Sequence, residues 1–229
     1  MTLKLVIGNK NYSSWSMRPW LAMRAAGIPF AEIFIPLYTD DKADKDRILG
    51  FSRAGKVPAL IDGDITVWDS LSIIEYLAER FPDARLWPRD PAARAHARST
   101  SAEMHSGFLP LRNECGMNLH RPVGAVTLSA DAQANVARVQ EIWTECRDRH
   151  GKSGPYLFGA FTAADAMFAP VVTRLQTYSI AVPGPVRAYM DAVLDHPAFV
   201  EWQEAGMRES WVVAHDEVDE PAIGPFRAR

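Results

Sequence analysis

Strand-like runs stop partway along the 229-residue chain, and this limits the fold more than any other feature. Every such run lies before residue 70, and none follows the stretch Leu86-Trp87-Pro88-Arg89-Asp90-Pro91. The prolines at 82, 88 and 91 cannot continue a helix, so residues 82–91 read as a linker. Two domains of different class are therefore expected: an α/β domain over 1–81 and an all-helical domain over 92–229, ending in a tail.

Within the first domain Leu3-Lys4-Leu5-Val6-Ile7-Gly8 alternates like a short strand, and Phe30 to Pro36 reads as a second. Good helix formers run from Pro19 to Ala26, and Gly27 supplies a stop. Thr39 to Arg47 is polar and reads as a loop or short helix. Val57 to Ile61 and Ile65 to Trp68 flank Asp62-Gly63-Asp64, a turn with hairpin chemistry, so these strands should be antiparallel. Leu71, Ile74, Leu77, Ala78 and Phe81 mark one side of a helix opened by Asp69-Ser70. The order is βαβ, an irregular segment, then ββα. Beyond the linker, helical patterns cover about 92–118, 130–150, 163–178, 185–195 and 197–208. Pro110 and Pro170 should kink two of them. Thr162-Ala163-Ala164-Asp165 has the spacing of a capping box, and the apolar residues behind it predict a central helix.

Chemistry concentrates at Asn11-Tyr12-Ser13-Ser14-Trp15-Ser16-Met17-Arg18, where the first strand hands over to a helix. Unpaired N–H groups and the positive end of a helix dipole suit an anion there, and a hydroxyl can donate to a thiolate. Serine is also the ordinary N-cap residue, so the spacing alone is compatible with a purely structural role. A net charge of −3, from 25 basic and 28 acidic residues, gives no case for nucleic acid or an anionic membrane. No apolar run reaches the length of a membrane span and no signal-like start is present, which makes the cytoplasm the default compartment. Cys115 and Cys146 fall on apolar helix faces and read as buried free thiols. Scattered histidines give no metal-ligand spacing, so no metal is expected.

Together, the βαβ-ββα unit, Val57-Pro58 before its third strand, Asp69-Ser70 opening its last helix, the proline linker and the helical domain resemble the cytosolic glutathione transferases. The likeness extends over about 1–208. It implies a thioredoxin-like N-terminal domain followed by an all-α domain, glutathione as co-substrate, and a homodimer. The segment Ser13-Ser14-Trp15-Ser16-Met17-Arg18 is most similar to the serine-type tau and zeta classes. The implied thiol activator is Ser13, with Ser14 as runner-up because theta-type enzymes place their serine one residue nearer the arginine.

The resemblance further implies a cis bond before Pro58 and pairing of the Val57 backbone with the cysteinyl part of glutathione. It also implies Lys56 near the glycine carboxylate, and Asp69 and Ser70 at the γ-glutamyl end. Met104, His105, Phe108 and Met117 are candidates for the wall of a pocket for a small apolar electrophile, although helical spacing equally suits Met104 and Phe108 to the core. Glu103 is a candidate for reaching the partner's glutathione across the dimer. Trp15 stands where the zeta class has a cysteine, which argues against maleylacetoacetate isomerisation. The expected activity is thiol transfer to an electrophile, of the kind used in detoxification. A non-catalytic binding or ligand-storage protein of the same fold is the alternative.

Overall fold

The computed structural model describes residues 2–37, 41–213 and 217; residues 39 and 40 of the polar segment and most of the tail lie outside them. Four strands form one mixed sheet: β1 (Leu3–Ile7), β2 (Phe30–Phe34), β3 (Ala59–Asp62) and β4 (Ile65–Trp68), in the order β2-β1-β3-β4. β1 runs parallel to β2, with Leu5 opposite Glu32, and antiparallel to β3, with Leu5 opposite Leu60. The parallel pair needs a crossover, which α1 (Ser14–Ala25) supplies. The hairpin at Asp62-Gly63-Asp64 joins β3 to β4 as its residues demand, with Gly63 at φ 60°. α2 (Lys42–Phe51) occupies much of the polar segment, capped by Asp41, whose carboxylate accepts from Ala43 N at 2.8 Å. α3 (Ser70–Arg80) closes the unit.

Beyond the linker come α4 (Pro91–Ser106), α5 (Leu109–Glu114), α6 (Ala130–His150), α7 (Ala163–Thr177), α8 (Gly184–Leu194) and α9 (Pro197–Met207). α7 is the axis of this half: all but one of its residues are buried, and it packs against both α1 and α4. The Asp165 carboxylate secures its start, accepting from Thr162 N at 2.8 Å, Thr162 Oγ1 at 2.9 Å and Leu157 N at 3.0 Å. Three fully buried tryptophans, Trp20, Trp143 and Trp202, lie in one core that runs across both halves.

Three boundaries differ from expectation. α1 begins at Ser14, five residues before Pro19, because the Ser13 cap fixes its start and Pro19 is accommodated inside it. The predicted 92–118 helix divides: Gly107 and Phe108 leave helical geometry, Phe108 at φ 62°, and α5 restarts with Pro110 in its first turn. Pro170 lies within an unbroken α7; Thr173 Oγ1 and the Arg174 guanidinium both donate to its carbonyl.

Candidate active site

Two adjoining cavities open where the C-terminal end of β1, the loop before β3 and the start of α3 face α4 and α5. The first, about 700 Å³, is walled by Trp15, Lys56, Val57, Asp69, Ser70 and His105. Pro58 also lines it, and the Val57-Pro58 bond is cis. β3 pairing starts only at Ala59, so the Val57 N–H and C=O make no hydrogen bond to a described residue and present an open strand edge.

Asp69 sits at φ 73° and ψ 136°, a conformation that costs an L-residue about 1–3 kcal/mol. It is held there by both carboxylate oxygens. Oδ1 accepts from Leu71 N at 2.9 Å and Ser72 N at 3.3 Å, while Oδ2 lies 2.6 Å from His105 Nε2. Burial pushes the Asp69 carboxyl up, but the His105 hydrogen bond and charge, with the two N–H groups, outweigh it and hold the carboxyl below its usual range. Ser70 is 1% exposed, and its hydroxyl has no partner among the described residues. An orphaned hydroxyl at a helix N-terminus, beside an oriented carboxylate, matches what an α-amino acid end requires.

The second cavity, about 610 Å³, shares Trp15, Lys56, Val57 and Arg112 with the first. Ser13 and Ser14 open onto it. Ser13 caps α1: its Oγ accepts from Ser16 N at 3.3 Å and donates to Ser16 Oγ at 2.8 Å, and Ser16 Oγ in turn accepts from Gly8 N. The Ser14 hydroxyl makes no hydrogen bond to a described residue.

Of the expected residues, Lys56, Val57, Pro58, Asp69 and Ser70 converge on the first cavity and Ser13 and Ser14 on the second. The four wall candidates separate. Met117 lines the second cavity and His105 the first. Met104 and Phe108 line neither cavity; both are buried in the core, so as pocket candidates they are corrected. Glu103 is engaged within its own chain by Arg138, at 2.8 and 3.0 Å. Cys115 and Cys146 are buried free thiols, each pushed up to about 12 by burial.

Other site features escaped the sequence reading. Trp15 carries two cations near its ring: Arg18 Cζ at 3.9 Å and Arg112 Cζ at 4.6 Å from the centroid. The serine loop is anchored from the far end of the chain. Glu209 accepts from Lys10 N at 2.7 Å and Asn11 N at 3.0 Å, and Trp202 Nε1 donates to Lys10 O. Glu217 accepts from the Tyr12 hydroxyl at 2.5 Å and from the Asn118 amide at 3.0 Å. Only the Asn9 and Asn11 flanks of the serines hinted at so polar a scaffold.

Comparison with known proteins agrees with this layout. Residues 12–80 match the family model for the glutathione S-transferase N-terminal domain, and 129–204 that for its C-terminal domain. A probable maleylacetoacetate isomerase of Caenorhabditis elegans is 30% identical over 192 residues, 82% of this chain and 87% of the relative. Glutathione S-transferase Z1 of Arabidopsis thaliana is 35% identical over 108 residues, 45% of this chain and 48% of its own length. In fold, the chain resembles a glutathione transferase homologue from Burkholderia crystallised with bound glutathione: TM-score 0.69 at 23% identity, covering 92% of this chain and all of that one. Both halves are thus accounted for, and the chain belongs to the glutathione S-transferase family.

Proposed function

We propose that the protein is an enzyme that turns the thiol of glutathione into a nucleophile and directs it at a soft electrophile. One observation carries this reading. The open Val57 edge, the unpartnered Ser70 hydroxyl and the oriented Asp69 carboxylate line one cavity, and Ser13 and Ser14 line the next. A binding protein of this fold has no need of both halves.

In this reading Ser70 holds the γ-glutamyl carboxylate, Asp69 faces its ammonium, Val57 pairs with the cysteinyl backbone and Lys56 faces the glycyl carboxylate. Ser13 donates to the sulfur. A cysteine thiol titrates near 8.5, so ionisation at neutral pH calls for a fall of about two units, roughly 2.7 kcal/mol. A hydroxyl bonded to a charged acceptor contributes about 1.5–3 kcal/mol and the helix N-terminus about 0.3–1 kcal/mol. The two suffice without a general base. Ser13 would turn its proton from Ser16 Oγ to the thiolate, and the charged acceptor makes the stronger bond. The same thiolate would serve an isomerase, a reading that the similarity to the nematode relative favours and the indole of Trp15 opposes.

The test is a thermal-shift titration with glutathione. At about 100 times the dissociation constant, binding stabilises the folded state by about 2.7 kcal/mol, a shift of several degrees. No shift at millimolar glutathione overturns the proposal.

A further inference from the structure

The two carboxylate oxygens of Glu209 accept from consecutive backbone N–H groups of the serine loop, Oε1 from Lys10 N at 2.7 Å and Oε2 from Asn11 N at 3.0 Å. Among side chains only a carboxylate offers two acceptor oxygens and no donor to such a pair. Lys10 is tied at its other polar atoms as well: its carbonyl accepts from Trp202 Nε1 at 3.0 Å, and its ammonium lies 2.8 Å from Glu32 Oε2. Asn11 is held from another side, its Oδ1 accepting from Leu119 N at 2.6 Å and His120 N at 3.0 Å. α9 also meets the loop directly. A Cβ at Gly206 would stand 3.3 Å from both Lys10 C and Asn11 N, and 2.9 Å from Leu119 Cδ1.

This hold reaches Ser13 within two residues. Asn9 O accepts from Ser13 N at 2.7 Å and Tyr12 N at 3.2 Å, closing the loop as a turn, and Ser13 Oγ then bonds Ser16. A displacement at Lys10 and Asn11 therefore moves the hydroxyl. Burial pushes the Glu209 carboxyl up, while the two N–H groups and the Lys10 ammonium pull it down. Burying a carboxylate costs free energy, which a loop with no need of a fixed shape gives no reason to spend. Glu209 lines neither cavity, so its influence on the reaction passes through the loop.

We propose that Glu209 is a positioning residue for thiol activation: through Lys10 and Asn11 it fixes the loop that aims the serine hydroxyl at the sulfur. The proposal deepens the reading above and rests on it for the role of the serine. A misplacement of about 1 Å in such a group can cost about a hundredfold in rate. Positioning also has a sign of its own. Removing a negative charge near the site eases ionisation of a thiol, whereas misaiming its hydrogen-bond donor hinders it. The two effects move the thiol pKa in opposite directions.

The experiment follows the thiol of glutathione bound to the full chain, by the ultraviolet absorbance of its thiolate across pH. Glu209→Gln keeps the size of the side chain but turns an N–H donor toward a backbone N–H. The expected result is a thiol pKa raised by about half to one unit, with turnover near pH 6.5 falling about three- to tenfold because rate follows the thiolate fraction. S-methylglutathione, which has no thiol to activate, should bind within about twofold of wild type. Gly206→Ala leaves the charge in place and crowds the loop, and it should shift the pKa the same way. Adding Glu209→Gln to whichever of Ser13→Ala and Ser14→Ala raises the pKa should raise it no further, because the residues act as one unit. An unmoved or lowered thiol pKa in Glu209→Gln overturns the proposal, as does a shift that adds in full to that of the serine variant. Loss of S-methylglutathione binding by a folded variant overturns it too. Should Glu209→Gln not fold, Gly206→Ala decides: a raised pKa supports the proposal and any other result overturns it. Failure of S-methylglutathione to bind wild type overturns the glutathione reading, and the proposal with it.

Discussion

Ser13 and Ser14 are adjacent in sequence and open on the same cavity, but they stand in different chemical situations. Ser13 Oγ is already bonded at both ends, to Ser16 N and Ser16 Oγ, so as a donor to the thiol it would have to exchange one acceptor for another. Ser14 has no such bond to exchange. With Ser13 as donor, Ser13→Ala should raise the apparent pKa of bound thiol by about one to two units, the value of a hydrogen bond to charge. Turnover with a generic aryl halide near pH 6.5 should then fall about ten- to a hundredfold. Affinity for glutathione should barely change, because in the proposed reading the peptide is held by Val57, Asp69 and Ser70. A pH–rate profile of both alanine variants measures this. If Ser14→Ala shifts the profile and Ser13→Ala does not, the donor is one residue further along.

Among the elements, α7 is buried along almost its whole length, and its N-terminal carboxylate titrates in an accessible range. Burial pushes the Asp165 carboxyl up to about 6, even against the bonds from Leu157 and Thr162, whereas an unfolded aspartate titrates near 3.9. The native state therefore takes up this proton first on acidification. The contribution of Asp165 is fully present below the unfolded value and is lost as pH rises through about 6. Asp165→Asn removes the titration. The stability gap between wild type and Asp165→Asn should move toward the wild type by about 1 kcal/mol between pH 7.5 and pH 5, read by urea unfolding. A gap independent of pH would show that the bonds hold the group ionised. This capping pair was legible in the sequence because a cap is local: Thr162 and Asp165 are three residues apart. So were β1, the 62–64 hairpin and the start of α3. The break at Gly107-Phe108 was not, since the apolar spacing of Met104, Phe108 and Leu111 continues through it and only backbone geometry reveals it. The arginines beside Trp15 escaped for another reason. Arg18 and Arg112 are far apart along the chain, and nothing local to either signals the other.

For the whole molecule the expectation is a twofold dimer, with the segment after Asp69-Ser70 and α4 of one subunit against those of the other. Light scattering at micromolar concentration should give about twice the single-chain mass of 25.5 kDa. A value near the single-chain mass removes the dimer and, with it, any reach of Glu103 toward a partner, which its pairing with Arg138 already opposes. The anchoring of the serine loop has a different consequence, for heredity and engineering. Lys10 and Asn11 donate their N–H groups to Glu209, and Trp202 closes on the Lys10 carbonyl, nearly two hundred positions away. A gene fragment encoding the first eighty residues thus carries the serine loop without the groups that fix its shape. Shuffling between relatives preserves the loop only when positions 9–13 and 202–209 travel together, so these two short stretches form one unit of inheritance at opposite ends of the reading frame.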